Sequence, residues 1–161
     1  RFHADHDTLT SLLNRRAVFE HLEIEIARSE REDHPLSIAL LDLDHFKQVN
    51  DTYGHLIGDE VLRDASSRII QQVRRYDVVG RYGGEEFLLI LPGASRDEAF
   101  KIAERVREKI VSCPFSSGEI FLSASLGVAL YNKASSVDEF IFAADTALYR
   151  AKKNGRNQTS F

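Results

Sequence analysis

Two glycines followed by two acids stand where one strand-like run ends and another begins. Residues 83–87 read Gly-Gly-Glu-Glu-Phe, between the runs 77–82 and 87–91. This pattern predicts a β-hairpin, because glycine adopts the positive φ angles that tight hairpin turns require. The turn presents Glu85 and Glu86 at its tip, beside a backbone that a phosphate or a metal ion can approach. A motif this short is, by itself, more typical of a tight turn with solvated acids.

A second group of acids follows the apolar run at 37–41. Asp42 and Asp44 stand at the end of a predicted buried strand, where carboxylates are costly unless they are paired or bind a cation. If this strand and the hairpin are neighbours in one sheet, Asp42 lies beside Glu85 and Glu86. Three carboxylates at one rim repel one another, so the cluster predicts a bound cation. Hard oxygen ligands suit Mg²⁺ or Mn²⁺.

Two such ions can bridge a triphosphate, stabilise a leaving pyrophosphate and activate an attacking hydroxyl. Phosphates also need positive side chains, and Lys47, Lys152 and Arg156 are available. Lys152 lies in the last turn of a predicted helix, where a cation also stabilises the helix dipole. Both explanations of Lys152 stay open at this point.

The composition and net charge limit the classes of protein to which the chain can belong. The 161 residues are 43% hydrophobic and 29% charged, which predicts one soluble domain with a hydrophobic core. The net charge of -4 argues against nucleic acid as a partner. No apolar run has the length of a membrane span and no signal peptide is recognisable, so we expect no membrane contact and a cytoplasmic domain. The chain starts at Arg1 and has no methionine, which indicates a piece of a longer protein; any sensor or membrane segment would lie outside this piece.

The elements that must position these residues follow from hydrophobic periodicity. We predict helices over residues 15–31, 58–75, 96–113 and 137–153, strands over 37–41, 77–82, 87–91 and 120–130, and an edge strand near 161. Phe121 is a predicted core residue of the last long strand. Cys113 is a predicted core thiol.

This order of helices and strands predicts an α+β fold. The central sheet is expected to be mixed and mostly antiparallel, with helices packed on it in a ferredoxin-like arrangement. Residues 1–13 are interpreted as an N-terminal linker and motif, and residues 14–161 as a single domain.

The chain resembles the GGDEF domain of diguanylate cyclases. Residues 83–87 match the signature loop in its GGEEF form, and residues 42–51 match the motif of the first strand. Residues 145–152, together with 155–157, match the C-terminal motif, and residues 7–16 resemble the N-terminal one. Four blocks in the right order are far more specific than the hairpin alone. The resemblance also implies the fold shared by nucleotidyl cyclases and polymerase palms.

The resemblance implies condensation of two GTP molecules into cyclic di-GMP and two pyrophosphates, with two Mg²⁺ or Mn²⁺ ions in each half-site. The roles that it implies are metal ligation, proton transfer, phosphate binding and guanine recognition. The implied metal ligands are Asp42, the Leu43 carbonyl, Glu85 and Glu86, and Glu85 is also the implied proton acceptor. The implied phosphate-binding residues are Phe46, Lys47, Lys152 and Arg156. The residues implied to recognise guanine are Asn50 and Asp59.

The resemblance also implies assembly and feedback. Each nucleotide must attack the other, so the active species is expected to be a two-fold homodimer. Arg74 and Asp77 have the RxxD spacing of the family's inhibitory product site, with Arg105 as a second contact, so cyclic di-GMP is expected to be an inhibitor as well as the product. The spacing is equally that of a surface ion pair at a helix end.

Three other functions compete with diguanylate cyclase activity. The strongest is a catalytically silent GGDEF-like receptor for GTP or cyclic di-GMP, although degenerate members usually lose signature acids that are present here. A cyclase that makes a mixed GMP-AMP dinucleotide is disfavoured by Asp59, which suits guanine. A nucleic-acid polymerase palm is disfavoured by the short, acidic chain.

Overall fold

The computed structural model describes residues 2–115, 118 and 120–161, and the side chains from Ala4 onward. Its helices are α1 (Phe2–Asp5), α2 (Arg15–Glu32), α3 (Phe46–Tyr53), α4 (His55–Gln72), α5 (Arg96–Ser112) and α6 (Val137–Lys153). Its strands are β1 (Leu36–Leu43), β2 (Val78–Arg81), β3 (Glu86–Pro92), β4 (Ala124–Leu130) and β5 (Thr159–Ser160).

The strands form one sheet in the order β2-β3-β1-β4-β5. All pairs are antiparallel except β4 with β5, which is parallel. The central strand β1 is buried along its whole length, as its unbroken apolar sequence predicts. The predicted α+β class, the mixed, mostly antiparallel sheet and the edge strand near the C-terminus are therefore confirmed.

Two hydrophobic layers cover the sheet. Alternate residues of β1 face opposite sides: Ala39 and Leu41 pack with α3, α4 and α5, and Ile38 and Leu40 pack with α2 and α6. Asp42 has the same parity as Leu40, so it faces the α6 side.

Helix α6 lies unusually close to the sheet at Gly127 in β4. A Cβ atom at this position would come within 2.2 Å of the Ala144 carbonyl oxygen and the Leu148 nitrogen. Only glycine allows this approach, and the approach brings the C-terminal end of α6, with Lys152, to the end of β1.

Three sequence expectations were wrong in detail. Strand β4 begins at Ala124 rather than at 120, so Phe121 precedes the strand. Its side chain is 73% exposed, whereas Ile120 and Leu122 are buried. Cys113 is exposed because α5 ends at Ser112 and the backbone becomes extended at the next residue.

The third error concerns α4, which runs from His55 to Gln72 rather than from 58 to 75. Gly58 does not break the helix. At the other end, the backbone is extended at Val73, and the Arg74 N–H donates to the Asp77 carboxylate (2.7 Å) instead of continuing the helix.

Candidate active site

The acids predicted to meet do meet, because β1 and β3 pair in the required register. Asp42 lies directly opposite Glu86, and the Leu43 N–H donates to the Glu85 carbonyl oxygen (3.2 Å). Both signature acids therefore stand at the end of β1. The hairpin turn is closed by the N–H groups of Tyr82 (2.8 Å) and Gly83 (3.2 Å), which donate to the Glu86 carbonyl oxygen.

Burial and mutual repulsion make this acid cluster unfavourable by itself. Asp42 is 8% exposed, and burial raises the pKa of its carboxyl, with a further contribution from Asp44. Burial likewise raises the pKa of Glu86, with smaller contributions from Asp42, Asp145 and Glu85. Each raised pKa means that removing the last proton costs more here than in water.

A cation already relieves part of this cost. The Lys152 ammonium, at the end of α6, forms an ion pair with Asp42, and both Lys152 and Arg156 oppose the rise of the Asp42 pKa. Lys152 therefore occupies the place beside the carboxylates where positive charge is most stabilising. Both explanations of Lys152, helix-end cation and phosphate ligand, are compatible with this position.

The donor set suits a hard divalent cation. It comprises the carboxylates of Asp42, Glu85 and Glu86 and the adjacent Leu43 carbonyl, all oxygen donors of the kind that Mg²⁺ and Mn²⁺ prefer. Within residues 2–115, 118 and 120–161, however, no three acidic, histidine or cysteine side chains already converge on one point.

A short loop and helix α3 follow β1 and offer groups suited to phosphate. His45 has a left-handed backbone (φ 57°), and within the described chain no side chain caps the N-terminus of α3. The first turn of α3 therefore presents N–H groups next to the exposed side chain of Lys47, while Phe46 is buried and anchors the turn.

Helices α3 and α4 bring together the two residues expected to read guanine. A Cβ atom on Gly58 would come within 1.8 Å of the Asn50 Oδ1 atom, so the glycine lets the Asn50 side chain lie against α4. Asp59 is the next residue of α4. Asn50 therefore packs on α4 one residue before Asp59, and the two residues belong to helices that pack against each other.

Residues whose role the sequence did not predict hold the signature turn in place. The Arg81 guanidinium donates to the Gly84 carbonyl oxygen (2.8 and 3.2 Å) and to the Asp7 carboxylate (3.1 Å). Arg15 donates to the Tyr82 carbonyl oxygen (2.9 Å), with its guanidinium 4.0 Å from the centre of that ring. The N-terminal motif therefore fixes the turn that carries the acids.

The RxxD residues lie at the other end of the hairpin from the signature turn. Arg74 forms a two-pronged ion pair with Asp77 (2.8 and 3.0 Å) and donates to the Pro92 carbonyl oxygen (3.1 Å). Arg105 donates to the carbonyl oxygen of Gln72, two residues before Arg74. Arg74 and Asp77 thus form an ion pair just beyond the end of α4, and Arg105 contacts the last residue of that helix.

Comparison with known proteins agrees with this geometry. The family described as "Diguanylate cyclase, GGDEF domain" matches residues 4–158. The chain is 43% identical over 155 residues to diguanylate cyclase DosC of Escherichia coli K12, covering 94% of this chain and 34% of DosC. It is 41% identical to diguanylate cyclase DgcP of Pseudomonas aeruginosa, covering 94% of this chain and 23% of DgcP.

Solved structures give the same result. The GGDEF domain of DgcB from Caulobacter crescentus, in complex with c-di-GMP, superposes with a TM-score of 0.93 at 34% identity, covering 98% of this chain and 95% of that one. The active GGEEF domain of a diguanylate cyclase from Vibrio cholerae gives 0.87 at 34% identity, covering 92% and 96%. The chain belongs to the GGDEF family of diguanylate cyclase domains.

The chain spans about a third or less of the length of these curated relatives. In the part of the chain that the structure describes, no helix is both long and apolar enough to cross a membrane.

The raised pKa of Glu86 leads to a prediction for the metal-free protein. A carboxyl whose pKa is raised by folding stabilises the native state only below its unfolded pKa, and that contribution is lost as the pH rises through the folded pKa. Glu86→Gln should therefore melt higher than the wild type at neutral pH in a chelator, by roughly 2 °C. The difference should vanish near pH 4, close to the unfolded pKa of a glutamate.

The measurement is thermal unfolding from neutral to acidic pH, with Glu23→Gln as a control on the exposed face of α2. Added Mg²⁺ should raise the melting temperature of the wild type more than that of Glu86→Gln, since a metal that binds only the native state stabilises it. A neutral-pH melting temperature of Glu86→Gln at or below that of the wild type would contradict our description of the acids.

Proposed function

We propose that this domain condenses two molecules of GTP into cyclic di-GMP and two pyrophosphates. The observation that carries the proposal is the pairing of Asp42 with Glu86, which places both signature acids and Lys152 at the end of β1. The family membership and the DgcB complex with c-di-GMP support it. Bound Mg²⁺ or Mn²⁺, two ions in each half-site, supplies charge neutralisation at the triphosphate and a lowered pKa of the attacking hydroxyl.

The chain's own residues divide the work by position. Asp42, Glu85, Glu86 and the Leu43 carbonyl hold the metal side of the site. Lys47, Lys152, Arg156 and the first turn of α3, with Phe46, bind the phosphates. Asn50 and Asp59 read the guanine base.

In the reaction, the 3′-oxygen of one GTP attacks the α-phosphorus of the other. Glu85 accepts the hydroxyl proton, the new P–O bond forms, and the bond to the β-phosphate oxygen breaks to release pyrophosphate. A second, symmetric attack closes the ring. One domain holds one GTP, so two domains must face each other about a two-fold axis.

The test is product analysis after incubation with GTP and Mg²⁺ over a range of protein concentrations. We expect cyclic di-GMP, formed at a rate that rises more steeply than linearly with protein because the active species is a dimer. Glu85→Ala should lower the rate by at least about a hundredfold, the usual contribution of a general base. Glu23→Ala, an exposed acid outside the site, should not.

The alternative outcome defines a receptor. If the domain binds GTP or cyclic di-GMP but forms no product, even when fused to a dimerising coiled coil, it is a nucleotide sensor and the proposed activity is wrong.

Base selection gives a second prediction. A carboxylate accepts hydrogen bonds from the N1 and N2 donors of guanine, which adenine lacks, so Asp59 should exclude ATP. Asp59→Ser should reduce the preference for GTP over ATP by about a hundredfold in a competition assay. Asp51→Ser, an exposed acid on α3, is the matched control. An unchanged preference would remove Asp59 from the guanine site.

Inhibition by the product leads to a third prediction. Arginine forks grip phosphates and guanine edges, so Arg74, Asp77 and Arg105 are proposed to bind cyclic di-GMP as an inhibitor. Arg74→Ala should raise the inhibition constant for cyclic di-GMP at least about tenfold and change the initial rate less than about twofold. The adjacent Arg75→Ala is the control, and thermal unfolding of both variants checks the fold. Equal inhibition of the wild type and Arg74→Ala would refute the RxxD assignment.

A further inference from the structure

The chain takes an unusual path immediately after α6. Gly155, Arg156 and Asn157 all have positive φ angles, of 114°, 64° and 46°. A helix commonly ends with one left-handed residue, and Gly155 meets that need without strain. Arg156 and Asn157 continue in a conformation that L-residues rarely adopt, so helix termination alone does not account for them.

Two contacts hold Asn157 in this conformation. Its backbone N–H donates to the Asp44 carboxylate (3.1 Å), and its side-chain Oδ1 accepts from the Arg107 guanidinium (2.9 Å). The residue is therefore attached through its main chain to the end of β1 and through its side chain to α5.

Both attachment points are themselves fixed. Asp44 is 4% exposed, and its carboxylate also accepts hydrogen bonds from the Ser123 and Ser125 hydroxyls, each at 2.7 Å. Arg107 donates to the Glu104 carboxylate at 2.7 and 3.0 Å. These bonds leave neither partner free to follow a displaced chain, so they determine where Asn157 lies.

The attachment of Asn157 to Asp44 and Arg107 is relevant to the candidate active site because Arg156 is the residue before Asn157. Arg156 and Lys152 are the two C-terminal cations near Asp42. Lys152 is positioned by α6, whose packing on Gly127 is close and rigid. Arg156 lies beyond the helix. Its N–H donates to the Ala151 carbonyl oxygen of α6 (3.0 Å) and its own carbonyl oxygen accepts from the Gln158 side chain (3.0 Å), while the contacts of Asn157 fix the chain immediately after it.

We propose that Asn157, held by Asp44 and Arg107, is a positioning residue that fixes Arg156 for binding the GTP phosphates. The inference rests on the proposed function, since it concerns how that site holds its substrate. It assigns Asp44 a structural task distinct from the metal-binding role of Asp42. It also makes α5, which carries no group of the active site, part of the machinery for substrate binding.

The experiment measures binding of a fluorescent GTP analogue in the presence of Mg²⁺. Asn157→Gly keeps a residue that tolerates positive φ but loses the Arg107 contact, and Arg107→Met keeps the aliphatic packing but loses the donor. Each single variant should raise the dissociation constant of the GTP analogue about fivefold. The dissociation constant of the double variant should exceed that of either single variant by less than about twofold, because both substitutions remove the same contact. Asn157→Asp, which keeps the acceptor, should bind like the wild type.

Two further measurements separate positioning from general support of the fold. In an Arg156→Ala background, Asn157→Gly should have no further effect, since the residue acts through Arg156. In turnover, KM for GTP should rise by the same factor as the dissociation constant, with kcat changed less than about twofold. Lys101→Met, on the exposed face of α5, is the control.

The outcomes are distinguishable. Wild-type affinity in folded Asn157→Gly and Arg107→Met would overturn the proposal, as would an undiminished effect of Asn157→Gly in the Arg156→Ala background. Failure of the wild type itself to bind the GTP analogue would overturn both this inference and the proposed function. Binding without turnover would overturn only the proposed catalysis.

Discussion

Repulsion among carboxylates at the end of β1 is the constraint on which the site depends. The β1–β3 register sets Asp42 opposite Glu86, and burial raises the pKa of both. A purely structural strand end would not keep charged groups in this position, because desolvation costs more than one ion pair recovers. The cost makes sense if a divalent cation and a triphosphate complete the charge balance. On our proposal, the fold thus holds its acids in a state that metal and substrate stabilise.

The supporting structure is built to hold these acids in place despite their repulsion. Arg81 and Arg15 fix the carbonyl groups of the signature turn, and Gly127 lets α6 bring Lys152 against Asp42. These contacts come from the N-terminal motif, the hairpin and the C-terminal helix. Residues far apart in sequence therefore meet at one end of the sheet. A displacement of any of the three segments would move residues that contact the acids or the turn that carries them.

Sequence reasoning reached the acids and the fold because those depend on local patterns. The apolar run before Asp42 identifies a central strand, and the glycine pair identifies the hairpin that meets it. The contacts of Arg81 and Asn157 were not predicted, because each depends on a partner more than 40 residues away in the sequence. The partner of Arg81 is Asp7, and the partner of Asn157 is Arg107. Phe121 was misplaced for a different reason: hydrophobicity marks a residue as apolar, but the strand begins only at Ala124, so Phe121 lies outside the sheet and its side chain is exposed.

The location of the acids also explains why our proposal requires a second copy of the domain. Glu85 and Glu86 are only partly buried, and the turn that carries them is exposed at Gly84. Phosphoryl transfer is favoured where water is excluded and the nucleophile is held in line with the leaving group. In the proposed reaction, a single domain offers an open rim that binds and orients one nucleotide but does not enclose it. On the same proposal, a second rim related by a two-fold axis supplies both the cover and the attacking hydroxyl, so control of the approach of the two domains would control the reaction.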